Sequence, residues 1–99
     1  MSRPKRLESS MGCYHVMQRG MGKQILFEDE CDYRRYLDKL VECKDEMGFG
    51  IIAYCLMNNH VHLLIRTDSV GLLSRAMSRI GTSYAAYYNL KYDHAGSVF

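Results

Sequence analysis

The stretch Phe49-Gly50-Ile51-Ile52-Ala53-Tyr54-Cys55-Leu56-Met57-Asn58-Asn59-His60-Val61-His62-Leu63-Leu64-Ile65-Arg66 decides how this chain folds. Its first half, from Phe49 to Met57, is continuously apolar. Such a run reads as a central strand buried on both faces. In its second half Val61, Leu63, Leu64 and Ile65 favour extended backbone, where side chains alternate faces with period two. Asn58-Asn59 makes a tight turn between the halves, so the two strands form an antiparallel hairpin. His60 and His62 then project from one face, about 7 Å apart along the backbone at ~3.3 Å rise per residue. Val61 points the other way, into a core. Two imidazoles side by side have the donors to grip one divalent metal ion. Beside Arg66 they would repel if both were charged, which favours their neutral, metal-competent form near pH 7. Imidazole nitrogen suits transition metals better than magnesium, although manganese accepts mixed nitrogen and oxygen sets. A His-x-His pair also arises on strands by chance, so the spacing alone identifies no site.

The remaining elements fall outward from this hairpin. Cys13 to Arg19 reads as a first strand, with Tyr14, Val16 and Gln18 on one face and His15, Met17 and Arg19 on the other. Gly20-Met21-Gly22 breaks it. Asp29 is positioned to cap a helix running to about Met47, with Tyr33, Tyr36, Leu37, Leu40 and Val41 as its apolar stripe and Gly48 as its C-cap. A second helix is expected from Val70 to Tyr92, capped by Asp68 or Ser69. Leu73, Met77, Ile80, Tyr84 and Tyr87 form its stripe. Gly81 inside it costs about 1 kcal/mol against alanine and permits close packing. A short final strand is expected near Ser97 to Phe99. The order β-α-β-β-α plus that strand is an α+β, ferredoxin-like split βαβ fold: an antiparallel sheet with two helices on one face and the other face open.

Ninety-nine residues make one core, so residues 1–99 read as a single domain. The chain is 47% hydrophobic and 24% charged, ordinary for a globular protein. No run of apolar residues is long enough for a membrane span, and no signal peptide is evident. A cytoplasmic protein follows from this reading. The cysteines at 13, 31, 43 and 55 lack metal-knuckle spacing and read as free thiols or small buried hydrophobes. A net charge of +2 is too small to argue for nucleic acid, but its distribution is uneven. Arg3, Lys5, Arg6, Arg19 and Lys23 make the first 24 residues basic, whereas Glu28 to Glu46 is mostly acidic. That asymmetry turns one face to phosphates, unless the basic segment is a plain solvated tail.

Several segments resemble one family. Tyr14-His15-Val16-Met17-Gln18-Arg19-Gly20, Phe27 before the acidic helix start, Ala53-Tyr54-Cys55-Leu56-Met57-Asn58-Asn59-His60-Val61-His62-Leu63-Leu64-Ile65 and Leu73-Ser74-Arg75-Ala76-Met77 are similar to the IS200-like tyrosine transposases. Within that family the likeness is to the REP-associated branch. The resemblance runs from about Tyr14 to Phe99, and it independently implies the ferredoxin-like fold. Asn58 departs from the family's usual proline, which alters the turn more than the chemistry.

The resemblance implies a DNA transposase domain in which His60 and His62 bind a divalent ion, Mg²⁺ or Mn²⁺, for tyrosine-mediated strand cleavage and rejoining. It implies single-stranded, hairpin-bearing DNA as partner and a homodimer. Arg3, Lys5, Arg6, His15, Arg19 and Lys23 are the expected nucleic-acid contacts. The family's nucleophile lies on a helix beyond the segment matched here by Gly96-Ser97-Val98-Phe99. The chain is therefore expected to be C-terminally truncated, to lack that helix and the metal ligand it carries, and to hold its last residues loosely. Tyr88 is the fallback nucleophile, although Tyr88 and Tyr92 on a flanking stripe are equally open to base stacking. The alternative function is a non-catalytic single-strand nucleic-acid-binding module that keeps the transposase fold.

Overall fold

A computed structural model describes residues 12–99. The elements are β1 (Cys13–Arg19), a 3-10 turn (Met21–Lys23), α1 (Glu30–Met47), β2 (Gly50–Leu56), β3 (His60–Arg66) and α2 (Val70–Lys91). Local chemistry accounts for the boundaries. Asp29 accepts the Asp32 amide at 3.0 Å, satisfying an otherwise orphaned donor at the start of α1. Gly48 ends that helix in the left-handed region, at φ 79°, which a side chain would disfavour. Ser69 caps α2 by accepting the Leu72 amide at 3.0 Å.

The described sheet has the order β1-β3-β2, with both pairings antiparallel. Central position therefore belongs to β3, and the expectation of a doubly buried β2 is corrected. The α1 crossover carries β2 past the place that β3 later fills beside β1. Ile52 and Tyr54 are half exposed, at 50% and 55%. A register shift between Ile51 and Ala53 marks a bulge, which blunts a free edge.

Both helices cover one face of the sheet. Val61, Leu63 and Ile65 of β3 are at most 1% exposed and meet Tyr36, Leu40 and Cys43 of α1 with Leu73, Ala76, Ile80 and Tyr84 of α2. Burial of each large apolar side chain contributes about 1.5–3 kcal/mol. The α1 stripe runs through 32, 36, 40 and 43, so Val41 is exposed and Cys43 takes its expected place. On α2 the buried set includes Ala76 and Tyr88, whereas Met77 and Tyr87 are only half-buried. Gly81 packs closely: a Cβ there would sit 3.0 Å from Gln18 Nε2.

Asp32, fully buried, ties the start of α1 to the end of α2. Its carboxylate accepts Lys91 Nζ at 2.8 Å, the hydroxyls of Tyr87 and Tyr92, and the Glu28 amide at 2.9 Å. Burial alone would raise its pKa. The hydrogen bonds from Lys91, Tyr87, Tyr92 and the Glu28 amide outweigh it and hold the carboxyl well below the usual range.

Ser97 to Phe99 forms no strand, yet it is not loose. Val98 is 1% exposed, and its carbonyl accepts the Met21 amide at 2.8 Å and Gln24 Nε2 at 3.1 Å. The Phe99 ring lies 6.2 Å from that of Tyr84. Both expectations for this segment are thus corrected: apolar burial against α2 anchors it without a ladder.

Candidate functional site

Because β3 alternates, its uncovered face carries His60, His62, Leu64 and Arg66. Strand register brings neighbours to each. Arg19 stands opposite His60, Met17 and Cys55 flank His62, and His15 pairs with Leu64. These side chains belong to three strands and share the open face of the sheet.

The histidines form a cluster of three. His60 and His62 have ring centroids 4.9 Å apart, edge to face. The rings of His15 and His62 stack nearly parallel at 5.2 Å, with His15 Nε2 and His62 Nδ1 3.0 Å apart. One of those two nitrogens carries the shared proton, so at least one ring of this pair is not fully protonated. His60 Nδ1 lies 2.7 Å from Asn59 Oδ1. An amide oxygen only accepts, so Nδ1 of His60 is the donor, and in the neutral ring Nε2 keeps its lone pair. A hydrogen-bonded partner of this kind fixes the tautomer of a metal-binding imidazole.

His62 is held in its neutral form. Partial burial of the ring, then the charges of His60, His15 and Arg19, lower its pKa below the ordinary histidine value. The cation beside the pair is therefore Arg19 across the strand gap. A cavity of about 160 Å³ opens among His15, His62, Ala53, Cys55 and Leu64.

The donors fit a divalent ion in part. His60 Nε2 offers a free lone pair, and His62 Nε2 offers one in the tautomer whose Nδ1 donates to His15. Two such imidazoles suit a borderline transition metal, and manganese is compatible with them when water or phosphate oxygen completes the shell. Among the described residues no carboxylate shares this face, and no three His, Cys, Asp or Glu side chains converge to hold a metal. His15 is within reach of the pair but is turned to His62 rather than to a common centre.

The other expected residues are scattered. Arg3, Lys5 and Arg6 lie outside the described residues. Arg19 is exposed on the histidine face, and Lys23 is exposed in the turn after β1. Tyr88 is not brought to the histidines. It is 6% exposed on the helix-covered side, and its hydroxyl donates to the Ile25 carbonyl at 3.0 Å. Burial raises its pKa, and the same packing leaves little of its ring exposed. Tyr92 is likewise engaged with Asp32, its pKa pushed up to about 12 by burial and by that carboxylate. Asn59 and Cys55 escape a reading of single residues; the signal for Asn59 is its place directly before His60.

The sequence profile of the family described as "Transposase IS200 like" matches residues 9–98. The chain belongs to the IS200-like transposase family. No curated protein matches it at significant sequence similarity. In this IS200-like domain the histidine cluster, the open sheet and Arg19 lie together on the side that the helices leave free. No described helix is long and apolar enough to cross a membrane.

Proposed function

We propose that this domain is a DNA transposase core that handles single-stranded, hairpin-bearing DNA on the open face of its sheet. Membership of the family supports the class. The observation that carries the site is the placement of His60 and His62 side by side beneath Arg19, with the His60 tautomer set by Asn59. In this reading His60 Nε2 and His62 Nε2 hold one divalent ion, Mn²⁺ or Mg²⁺. When bound, the ion supplies Lewis-acid polarisation of a phosphodiester oxygen. Arg19 and His15 orient the phosphate. Arg3, Lys5, Arg6 and Lys23 extend the contact along the strand. A tyrosine hydroxyl attacks phosphorus, leaving a 5′-phosphotyrosine and a free 3′-hydroxyl, which stores the bond for rejoining. The Ala53-to-Ile65 block supports membership of the REP-associated branch, acting as a homodimer in the cytoplasm.

The second reading, a non-catalytic single-strand binder, is favoured by the burial of Tyr88. One experiment separates the two. Labelled hairpin-bearing single-stranded DNA is incubated with the protein and Mn²⁺ and resolved on a denaturing gel. A covalent adduct that disappears in His60→Ala/His62→Ala supports the transposase chemistry. Mobility shift without adduct supports the binder. Calorimetric titration of Mn²⁺ into both proteins tests the metal site directly, and identical weak binding by both would sink it.

A further inference from the structure

Two sulfur atoms lie beside the histidine cluster that its chemistry does not use. Cys55 shares the open face with His62, its partner across the β2–β3 ladder, and both line the cavity of about 160 Å³. Met57 follows two residues on, and its amide donates to the His60 carbonyl at 2.8 Å. The Cys55 thiol meets the Met57 thioether with Sγ and Sδ 3.6 Å apart. Both side chains are exposed, Met57 at 45%.

Packing does not account for this pair. Neither sulfur belongs to the hydrophobic core, whereas Cys43 is fully buried within it. An exposed thiol and an exposed thioether contribute little to stability and are open to oxidation. The contact between them is weak too, since S–H is a poor donor and thioether sulfur a poor acceptor. Sulfur lone pairs therefore remain free on the face where His62 stands.

We propose that Cys55, Met57 and His62 form a site for a soft cation, Cu(I), beside the histidine pair. Thiolate and thioether are the ligands that select Cu(I), whereas Mn²⁺ and Mg²⁺ favour oxygen. With metal–sulfur bonds of about 2.3 Å, sulfurs 3.6 Å apart subtend roughly 100° at the ion, close to a tetrahedral angle. Residues paired across a ladder have Cβ atoms about 5 Å apart, which puts the His62 imidazole within a rotamer change of Cys55. The third donor is a thioether, so the set is no grouping of His, Cys, Asp and Glu alone, of which the described residues hold none. On binding, the metal replaces the thiol proton, which passes to the buffer, and no electron is exchanged. The site stands on the two sulfurs and does not depend on strand cleavage. One consequence rests on the transposase reading above: His62 cannot serve two ions, so Cu(I) displaces the divalent ion from the pair.

The test adds the protein, anaerobically and with ascorbate holding copper reduced, to the coloured Cu(I) complex of bicinchoninate. Wild type should withdraw one equivalent of Cu(I) per chain and bleach the complex. Cys55→Ser should weaken binding by at least about a hundredfold and Met57→Leu by about tenfold, because thiolate is the stronger ligand. Cys31→Ser, at an exposed thiol on α1, should change nothing. Both Cys55→Ser and Met57→Leu alter exposed side chains, so each should keep its Tm within about 3 °C of wild type. X-ray absorption at the copper edge should show a shell of two sulfurs and one nitrogen. A complex that stays coloured, affinity that survives Cys55→Ser, or a shell of sulfur alone would overturn the site. A second arm follows free Mn²⁺ by electron paramagnetic resonance. One equivalent of Cu(I) should release Mn²⁺ from wild type, and His60→Ala should lose Mn²⁺ yet keep Cu(I). Mn²⁺ that stays bound beside Cu(I) would overturn the sharing of His62. Protein that takes Cu(I) through Cys55 and Met57 but never binds Mn²⁺ would refute the divalent site of the transposase reading and support this one.

Discussion

The two faces of the sheet use their polar groups differently. On the covered side every tyrosine hydroxyl with a known partner serves the fold. Tyr36 donates to Gln18, Tyr84 to the Leu26 carbonyl, Tyr88 to the Ile25 carbonyl, and Tyr87 and Tyr92 to Asp32. Buried donors without such bonds would each cost about 1–3 kcal/mol, so these contacts are obligatory. On the open face the histidines bond to one another and to Asn59, and no core residue depends on them. Abundance of a residue type is therefore a poor guide to chemistry here. Eight tyrosines invite a search for a nucleophile, but most of those in α2 are structural. Three histidines instead cluster on the open face, bonded to one another and to Asn59.

Substitutions on alternate residues of β3 should expose this division. Leu63→Ala, on the covered face, removes a fully packed side chain and should cost roughly 2–5 kcal/mol of unfolding free energy in urea titrations. A cost below about 1 kcal/mol would show that the covered face is not the tight core described. Next in size is Asp32→Asn, which removes the charge facing Lys91 and should cost about 1–3 kcal/mol at pH 7. Its pH dependence has a definite sign. The folded-state pKa is depressed, so the stabilisation is present above the unfolded value of about 3.9 and is lost as pH falls through the folded one. The gap between wild type and variant should stay constant from pH 7 to about 5 and close only in stronger acid.

His60→Ala/His62→Ala, on the open face, should shift Tm by no more than about 3 °C in the absence of metal. The same variant should lose any rise in Tm that Mn²⁺ gives the wild type, since an ion stabilises only the state that binds it. A metal-dependent Tm shift that survives the double substitution would move the ion elsewhere. The smallest expected effect is spectroscopic. In metal-free protein the ring protons of His62 should titrate below pH 6.5 by NMR, and Arg19→Ala should move the midpoint upward. Because that folded pKa is depressed, protonation of His62 weakens the fold only as pH falls below the unfolded value. A midpoint above 6.5 would remove the argument for a neutral ring.

Short-range signals carry much of this structure. The caps at Asp29, Ser69 and Gly48 and the alternation of β3 involve residues within a turn of one another, and each is readable directly. Family-specific runs around Ala53 to Ile65 make the class readable too. The α1 stripe reads one step off because Val41 and Cys43 are both apolar, and only packing against the sheet chooses between them. The burial of Tyr88 is illegible for the same reason: a half-turn of α2 separates a surface from a core position, and the loop at Ile25 that buries it lies far away in sequence.

By itself the sequence determined β1, β3 and the starts of both helices, that His60 and His62 share a face, and that Val61, Leu63 and Ile65 oppose them. These follow from backbone periodicity and from the capping of orphaned backbone groups, which need no distant partner. Tertiary structure alone decided that β3 rather than β2 is central, that His15 stacks on His62 and that Val98 is buried. Each of those depends on which strand pairs with which, in what register, and on which side the helices settle. Such choices minimise exposed apolar surface over the whole chain, and no local window contains them.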